Sequence, residues 1–199
     1  MTHAVLIACP GTQPEAFMDV LRDWPQVAVS AMGLSQLIRD TAAAGARCWS
    51  SATAPSMGKA SFASSMADAV LQRCFLELRS QENMPAHALI YDSEGLDFRF
   101  STAPTIRLLV LYRSAESLMP RIINQKTHQS PESSEELSAK ILEGIVQRSR
   151  MQAPYITFPN RYEINEERLE CPIQSREVLD DISRFLDLGD ARWSQTKLA

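Results

Sequence analysis

The chain has 199 residues, of which 45% are hydrophobic, and its 20 basic and 24 acidic residues give a net charge of -4. This length and apolar content suit a single domain spanning residues 1–199. The charges form no lysine- or arginine-rich block, so we expect neither nucleic acid nor a membrane as a partner. The apolar run Ala4–Ala8 is too short for a membrane span or a secretory leader, and a cytoplasmic protein is the expectation.

The four cysteines lie at Cys9, Cys48, Cys74 and Cys171. Their separations match neither a redox pair nor the usual ligand spacing of a metal site. A chain of this size also does not need disulfide bonds to stabilise its core. We therefore expect free thiols and no bound metal.

Apolar runs alternate with helical patterns along the first half of the chain. Ala4–Cys9 is continuously apolar and is followed by Pro10-Gly11, which is typical of a strand buried on both faces. Proline at position 14 suits the first turn of a helix over residues 15–24. The other expected elements are a strand at 27–29, a helix over 34–44, a loop over 48–61, a helix over 62–80 and a strand at 87–91.

Ile106–Tyr112 is the strongest strand signal, and Arg113-Ser114 follows it as a turn into a helix that Ser114 caps. The remaining expected elements are a helix over 137–146, a strand at 155–158 and a helix over 176–188. Strands that alternate with helices predict a three-layer α/β/α fold with a mostly parallel sheet. Ligands of such folds bind at the carboxyl ends of the strands, here after Cys9, Tyr91 and Tyr112.

Three segments, in this order, resemble the sulfotransferase family, a branch of the P-loop nucleotide-binding fold. Residues 5–27 are similar to its first strand, phosphosulfate loop and helix, and residues 108–118 to its strand, arginine turn and helix. Residues 161–163, followed by 183–188, resemble its tyrosine-glutamate stretch and closing helix. The resemblance implies 3'-phosphoadenosine 5'-phosphosulfate as donor and a hydroxyl or amine of a small molecule or glycan as acceptor.

The resemblance also implies which residues would hold the donor. It assigns the phosphosulfate to Gly11, Thr12 and Gln13, where backbone N–H groups at a helix N-terminus favour an anion. It assigns the 3'-phosphate to Arg113. Arg121 stands where the family has a serine eight residues later, and an arginine also binds phosphate.

The first loop departs from the family pattern, because it lacks the usual lysine or arginine. Pro14 removes one N–H donor, and Glu15 would repel a phosphate. Lys59, in a sequence that partly matches a Walker A loop, could supply the missing cation. Lys59 also leaves open a P-loop kinase, which would require residues 48–54 to form a central strand.

Group transfer needs a base, and the chain offers few candidates near the expected site. Glu94 and Asp92 follow the third strand, where either suits a base or a turn residue. His87 precedes that strand, and a surface position at the strand start is its alternative role. For Arg113, the alternative is a salt bridge to Glu116 or Asp92.

Two functions remain open from the sequence. A sulfotransferase requires Arg113 and Arg121 to converge with the Gly11 loop. A degenerate relative, acting as a binding or scaffolding protein, would have a loop over residues 10–14 that is too closed, or too negative beside Glu15, to admit a phosphosulfate.

Overall fold

A computed structural model describes residues 2–9, 11–24, 26–49, 58–81, 87–92, 106–114, 116–117, 143 and 160–188. The strands in these residues are β1 (Thr2–Ala8), β2 (Val27–Met32), β3 (His87–Asp92), β4 (Ile106–Tyr112) and β5 (Arg161–Asn165). The helices are α1 (Pro14–Arg22), α2 (Leu34–Cys48), α3 (Lys59–Gln81), α4 (Glu166–Leu169) and α5 (Pro172–Leu186). All strand pairs are parallel, and the order across the sheet is β2-β3-β1-β4-β5.

The sheet is covered on both faces, because alternate residues of its central strand point to opposite sides. Leu6 belongs to a buried cluster with residues of α1 and α5, such as Phe17 and Ile182. Val5 belongs to a second cluster with residues of α3, such as Phe75. The predicted three-layer α/β/α class is confirmed, and the sheet is parallel throughout the described strands.

Three helix boundaries differ from the prediction by three or four residues. Helix α2 continues through Gly45 to Cys48, and α3 begins at Lys59 inside the expected loop. Gly45 does not end its helix because it lies against α3, where an added Cβ would be 3.1 Å from the Cα of Ala63. The glycine therefore serves close helix packing. In addition, α5 begins with Pro172, four residues before the predicted start at 176.

Strand β5 was not predicted, since its sequence RYEIN is mostly polar. It pairs with β4 alone and forms an edge of the described sheet, so it does not need apolar residues on both faces. The predicted strand at 155–158 and the predicted helix over 137–146 lie outside the described residues, except for position 143. The predicted helix after Ser114 also lies outside the described residues, except for residues 116–117.

Two further findings concern the cysteines and the described helices. All four cysteines are free thiols. Across the ranges that the structure describes, no helix combines the length and the apolar character that crossing a bilayer demands.

Candidate functional site

The first loop (residues 11–13) follows β1 at the carboxyl edge of the sheet, beside the end of β4. The Cys9 N–H donates to the Leu111 carbonyl at 2.8 Å, which continues the pairing of the two strands to the start of the loop. Gly11 has a φ of 85°, a conformation that favours glycine. The Thr12 hydroxyl donates to the Cys9 carbonyl at 2.7 Å, so this predicted anion contact is turned back onto the loop itself.

A single carboxylate connects the first loop to the end of β4. The Gln13 N–H donates to Oε1 of Glu166 at 2.5 Å, and Nε of Arg113 donates to Oε2 at 2.7 Å. Arg113 is 4% exposed and Glu166 is 6% exposed. A buried carboxylate thus accepts from both a loop amide and a guanidinium.

Arg113 has a second ion pair, with Glu170 at the rim of the site. The Glu170 side chain is 54% exposed. Burial disfavours the charged guanidinium, but hydrogen bonds to Glu170 and Glu166 outweigh that effect and raise the pKa of Arg113. The sequence had pointed to Glu116 and Asp92 as ion-pair partners and missed these two glutamates.

The next glutamate, Glu167, fixes α4 to the turn after β4. Its Oε1 accepts from the Ser114 hydroxyl at 2.6 Å and from the Ser114 N–H at 3.0 Å. Its own N–H donates to the Asn165 side chain at 3.0 Å, which caps the helix. Hydrogen bonds from Ser114 and Ser117 lower the pKa of Glu167 to about 2. The carboxylate is therefore charged at neutral pH.

Asp92 and His87 lie at opposite ends of β3. Asp92 is 1% exposed and accepts from the Ser35 N–H at 3.2 Å and from the Ser35 hydroxyl, so it caps the start of α2. His87 begins the strand at the amino edge of the sheet, away from Arg113. It is 7% exposed, so the alternative role of a surface residue at the strand start was wrong. Burial lowers the pKa of His87.

The other predicted site residues fall into two groups. Lys59 is the first residue of α3 and is exposed, so it does not lie in a loop as expected. Helix α3 covers the face of the sheet opposite to α1. Glu94 and Arg121 lie outside the described residues, so the base and the second phosphate contact stay predictions. Of the predicted set, the structure brings together Arg113 and the first loop.

A small pocket of about 130 Å³ adjoins Gln13 and Glu166, between α1 and the pair α4 and α5. Its walls are mostly apolar, and they include Phe17, Val20, Leu169 and Leu179. Glu166 and Glu170 belong to the same lining. The candidate site is thus an ionic cluster with an apolar recess next to it.

The sequence reasoning missed Glu166, Glu167 and Glu170, although a signal for the first two exists. Asn165 is a good N-cap residue, and acidic residues in the first helical turn suit the helix dipole. Asn165-Glu166-Glu167 therefore marks a helix start. A helix of four residues has no periodicity to reveal it, and the contacts to Arg113 span 53 and 57 positions.

The fold is similar to that of a sulfotransferase from Alicyclobacillus acidocaldarius, with a TM-score of 0.54 and 11% sequence identity over 98% of this chain and 85% of that chain. A shikimate kinase from Bacteroides thetaiotaomicron aligns with a TM-score of 0.47 and 12% identity over 94% of this chain and 98% of that chain. No family model and no curated protein matches the sequence. The chain is thus an α/β protein with a sulfotransferase-like fold.

Proposed function

We propose that the chain is a P-loop transferase-like protein that binds the anionic part of a nucleotide donor between the first loop and Arg113. The observation that carries this proposal is that the two oxygens of Glu166 accept from the Gln13 N–H and from Arg113. A backbone N–H at a helix N-terminus and a guanidinium are the donors that a phosphate or sulfate group requires. The contacts of Glu166 support a site suited to an oxyanion.

We propose 3'-phosphoadenosine 5'-phosphosulfate as the donor. The groups on this chain that would hold it are the amides of Gly11 and Gln13 together with Arg113, with Arg121 as an additional phosphate contact. The donor would supply the sulfuryl group for a hydroxyl or amine of a small molecule or glycan. Glu94 is the proposed base for the acceptor proton.

A second candidate function is a non-catalytic binding or scaffolding protein with the same fold. The carboxylate of Glu166 favours this candidate, because it already accepts hydrogen bonds from the Gln13 N–H and from Nε of Arg113. This arrangement agrees with the altered first loop, which lacks a cation and is followed by Glu15. A P-loop kinase that uses Lys59 receives less support, since Cys48 still belongs to helix α2 and does not begin the central strand that this alternative requires.

Calorimetric titration with adenosine 3',5'-bisphosphate separates the two functions, because this nucleotide carries the recognised phosphates without the sulfuryl group. We expect binding to the wild type that is lost in Arg113→Ala. The matched control is Arg22→Ala, which removes the same charge from an exposed pair with Asp19 at the far end of α1 and should keep the affinity. Thermal melts of both variants verify the fold.

No binding at millimolar nucleotide, in the wild type and in a Glu166→Gln variant alike, would contradict the donor site and favour the non-catalytic protein. Equal affinities of Arg113→Ala and the wild type would mean that the nucleotide binds elsewhere. Either result would redirect the search for function to partners of the chain.

A further inference from the structure

The buried carboxylate of Glu166 uses both of its oxygens on groups that the proposed function requires for the ligand. The family resemblance assigns the first loop and Arg113 to two different anionic groups of one nucleotide. Here one side chain, 8% exposed, joins them. Glu166 therefore stands in the path between the two binding positions.

A ligand phosphate or sulfate in contact with the same N–H and guanidinium would lie beside this carboxylate. Two anions within a few ångströms in a buried setting repel each other strongly, because little water screens them. Glu170 also contributes negative charge on the other side of Arg113. Occupation of the donors by Glu166 and by a ligand anion should therefore exclude each other.

The local structure allows the Glu166 side chain to leave without unfolding the helix that carries it. Its neighbour Glu167 holds the start of α4 through Ser114, and Asn165 caps the same turn. Arg113 would keep Glu170 as a partner, so its buried charge would not be left without compensation. A rotation of one side chain would free both the loop amide and the Nε of Arg113.

We infer that Glu166 is an autoinhibitory internal anion, which competes with the anionic ligand for the Gln13 N–H and Arg113 and must be displaced before the ligand binds. This inference rests on the proposed function, because it concerns access to the same site. It makes the observed arrangement the closed state of the site. The affinity for the ligand then depends on how much more favourable the free energy of the nucleotide's contacts is than that of the Glu166 contacts it replaces.

The test is calorimetric titration of the full chain with adenosine 3',5'-bisphosphate, in the wild type and in Glu166→Gln. We expect the variant to bind about tenfold more tightly, a typical size for coupling between two competing groups. Glu177→Gln is the matched control, since it removes the same charge from an exposed residue of α5, which pairs with Arg168 instead of Arg113. Its affinity should equal that of the wild type.

Glu166→Asp provides a second measurement if Glu166→Gln does not fold. The shorter side chain keeps the charge but cannot reach both Gln13 and Arg113, so the nucleotide should again bind more tightly than in the wild type. Unchanged affinity in Glu166→Gln or Glu166→Asp, or an equal gain in Glu177→Gln, would overturn the inference and leave the donor site intact. No binding in any of these proteins would overturn the donor site itself.

Discussion

Arg113 shows how one residue connects stability with the candidate function. Its guanidinium is buried at the end of a buried strand, and it is compensated by Glu166 and Glu170. The loss of one partner from a buried ion pair leaves a charge in a medium that solvates it poorly. The ion pairs of Arg113 with Glu166 and Glu170 therefore stabilise the fold only while both charges of each pair are present.

We predict that Arg113→Met lowers the free energy of unfolding by about 3 kcal/mol, because the buried carboxylate of Glu166 loses its guanidinium partner. The double variant Arg113→Met/Glu166→Gln should recover most of this loss, since glutamine keeps an oxygen for the Gln13 N–H. Urea denaturation of the two single variants and the double variant measures both effects. A double variant that is no more stable than Arg113→Met would refute the ionic explanation.

At this scale the sequence predicted the position of Arg113 but not its surroundings. An arginine directly after a continuous apolar run must leave from the carboxyl end of the strand, so its location followed from local pattern. Its partners Glu166 and Glu170 follow a polar edge strand that is remote in sequence. Only the three-dimensional pairing of β4 with β5 brings them near.

The elements were predictable where burial leaves a strong pattern. Strands β1, β3 and β4 each contain a continuous apolar run, because both of their faces are covered, and they were recognised. Strand β5 and the short helix α4 were missed, since an edge strand tolerates polar residues and a single turn has no period. The end of α2 was misplaced because Gly45 was interpreted as a terminator.

Gly45 allows a prediction about the packing of α2 on α3. Alanine usually stabilises a helix interior relative to glycine by up to about 1 kcal/mol. At Gly45, however, the new Cβ would lie 3.0 Å from the sulfur of Met66 and 3.1 Å from the backbone of Ala63. We expect Gly45→Ala to lower the melting temperature and Gly45→Leu to lower it further. A rise in Gly45→Ala would show that the helices separate freely.

In the molecule as a whole, the two edges of the sheet differ in character. The carboxyl edge carries the charged cluster, whereas two imidazoles lie at the amino edge, the partly buried His3 and the buried His87. The ring of His3 stacks on Phe75 with centroids 4.4 Å apart. Burial lowers the pKa of both histidines below the ordinary value of 6.5. The folded chain therefore favours neutral imidazoles.

The lowered pKa values of His3 and His87 predict that the free energy of unfolding falls on mild acidification. A histidine with a lowered pKa binds its proton more readily in the unfolded chain, so the folded state loses stability as the pH falls below 6.5. Urea denaturation between neutral pH and about pH 5 should show the decline, and His3→Phe/His87→Gln should flatten it. Parallel pH profiles for the two proteins would show that other groups cause the decline.

The strand order also governs how the chain acquires its structure during synthesis. Strand β1 lies at the centre of the sheet, yet its neighbours are residues 87–92 and 106–111, which the ribosome adds much later. Parallel pairing over such separations is slow, because a long loop must close before any contact forms. The nascent β1 is thus an apolar segment without its sheet partners until residues 87–111 have been added, and chaperone contact at this stage would protect it from aggregation.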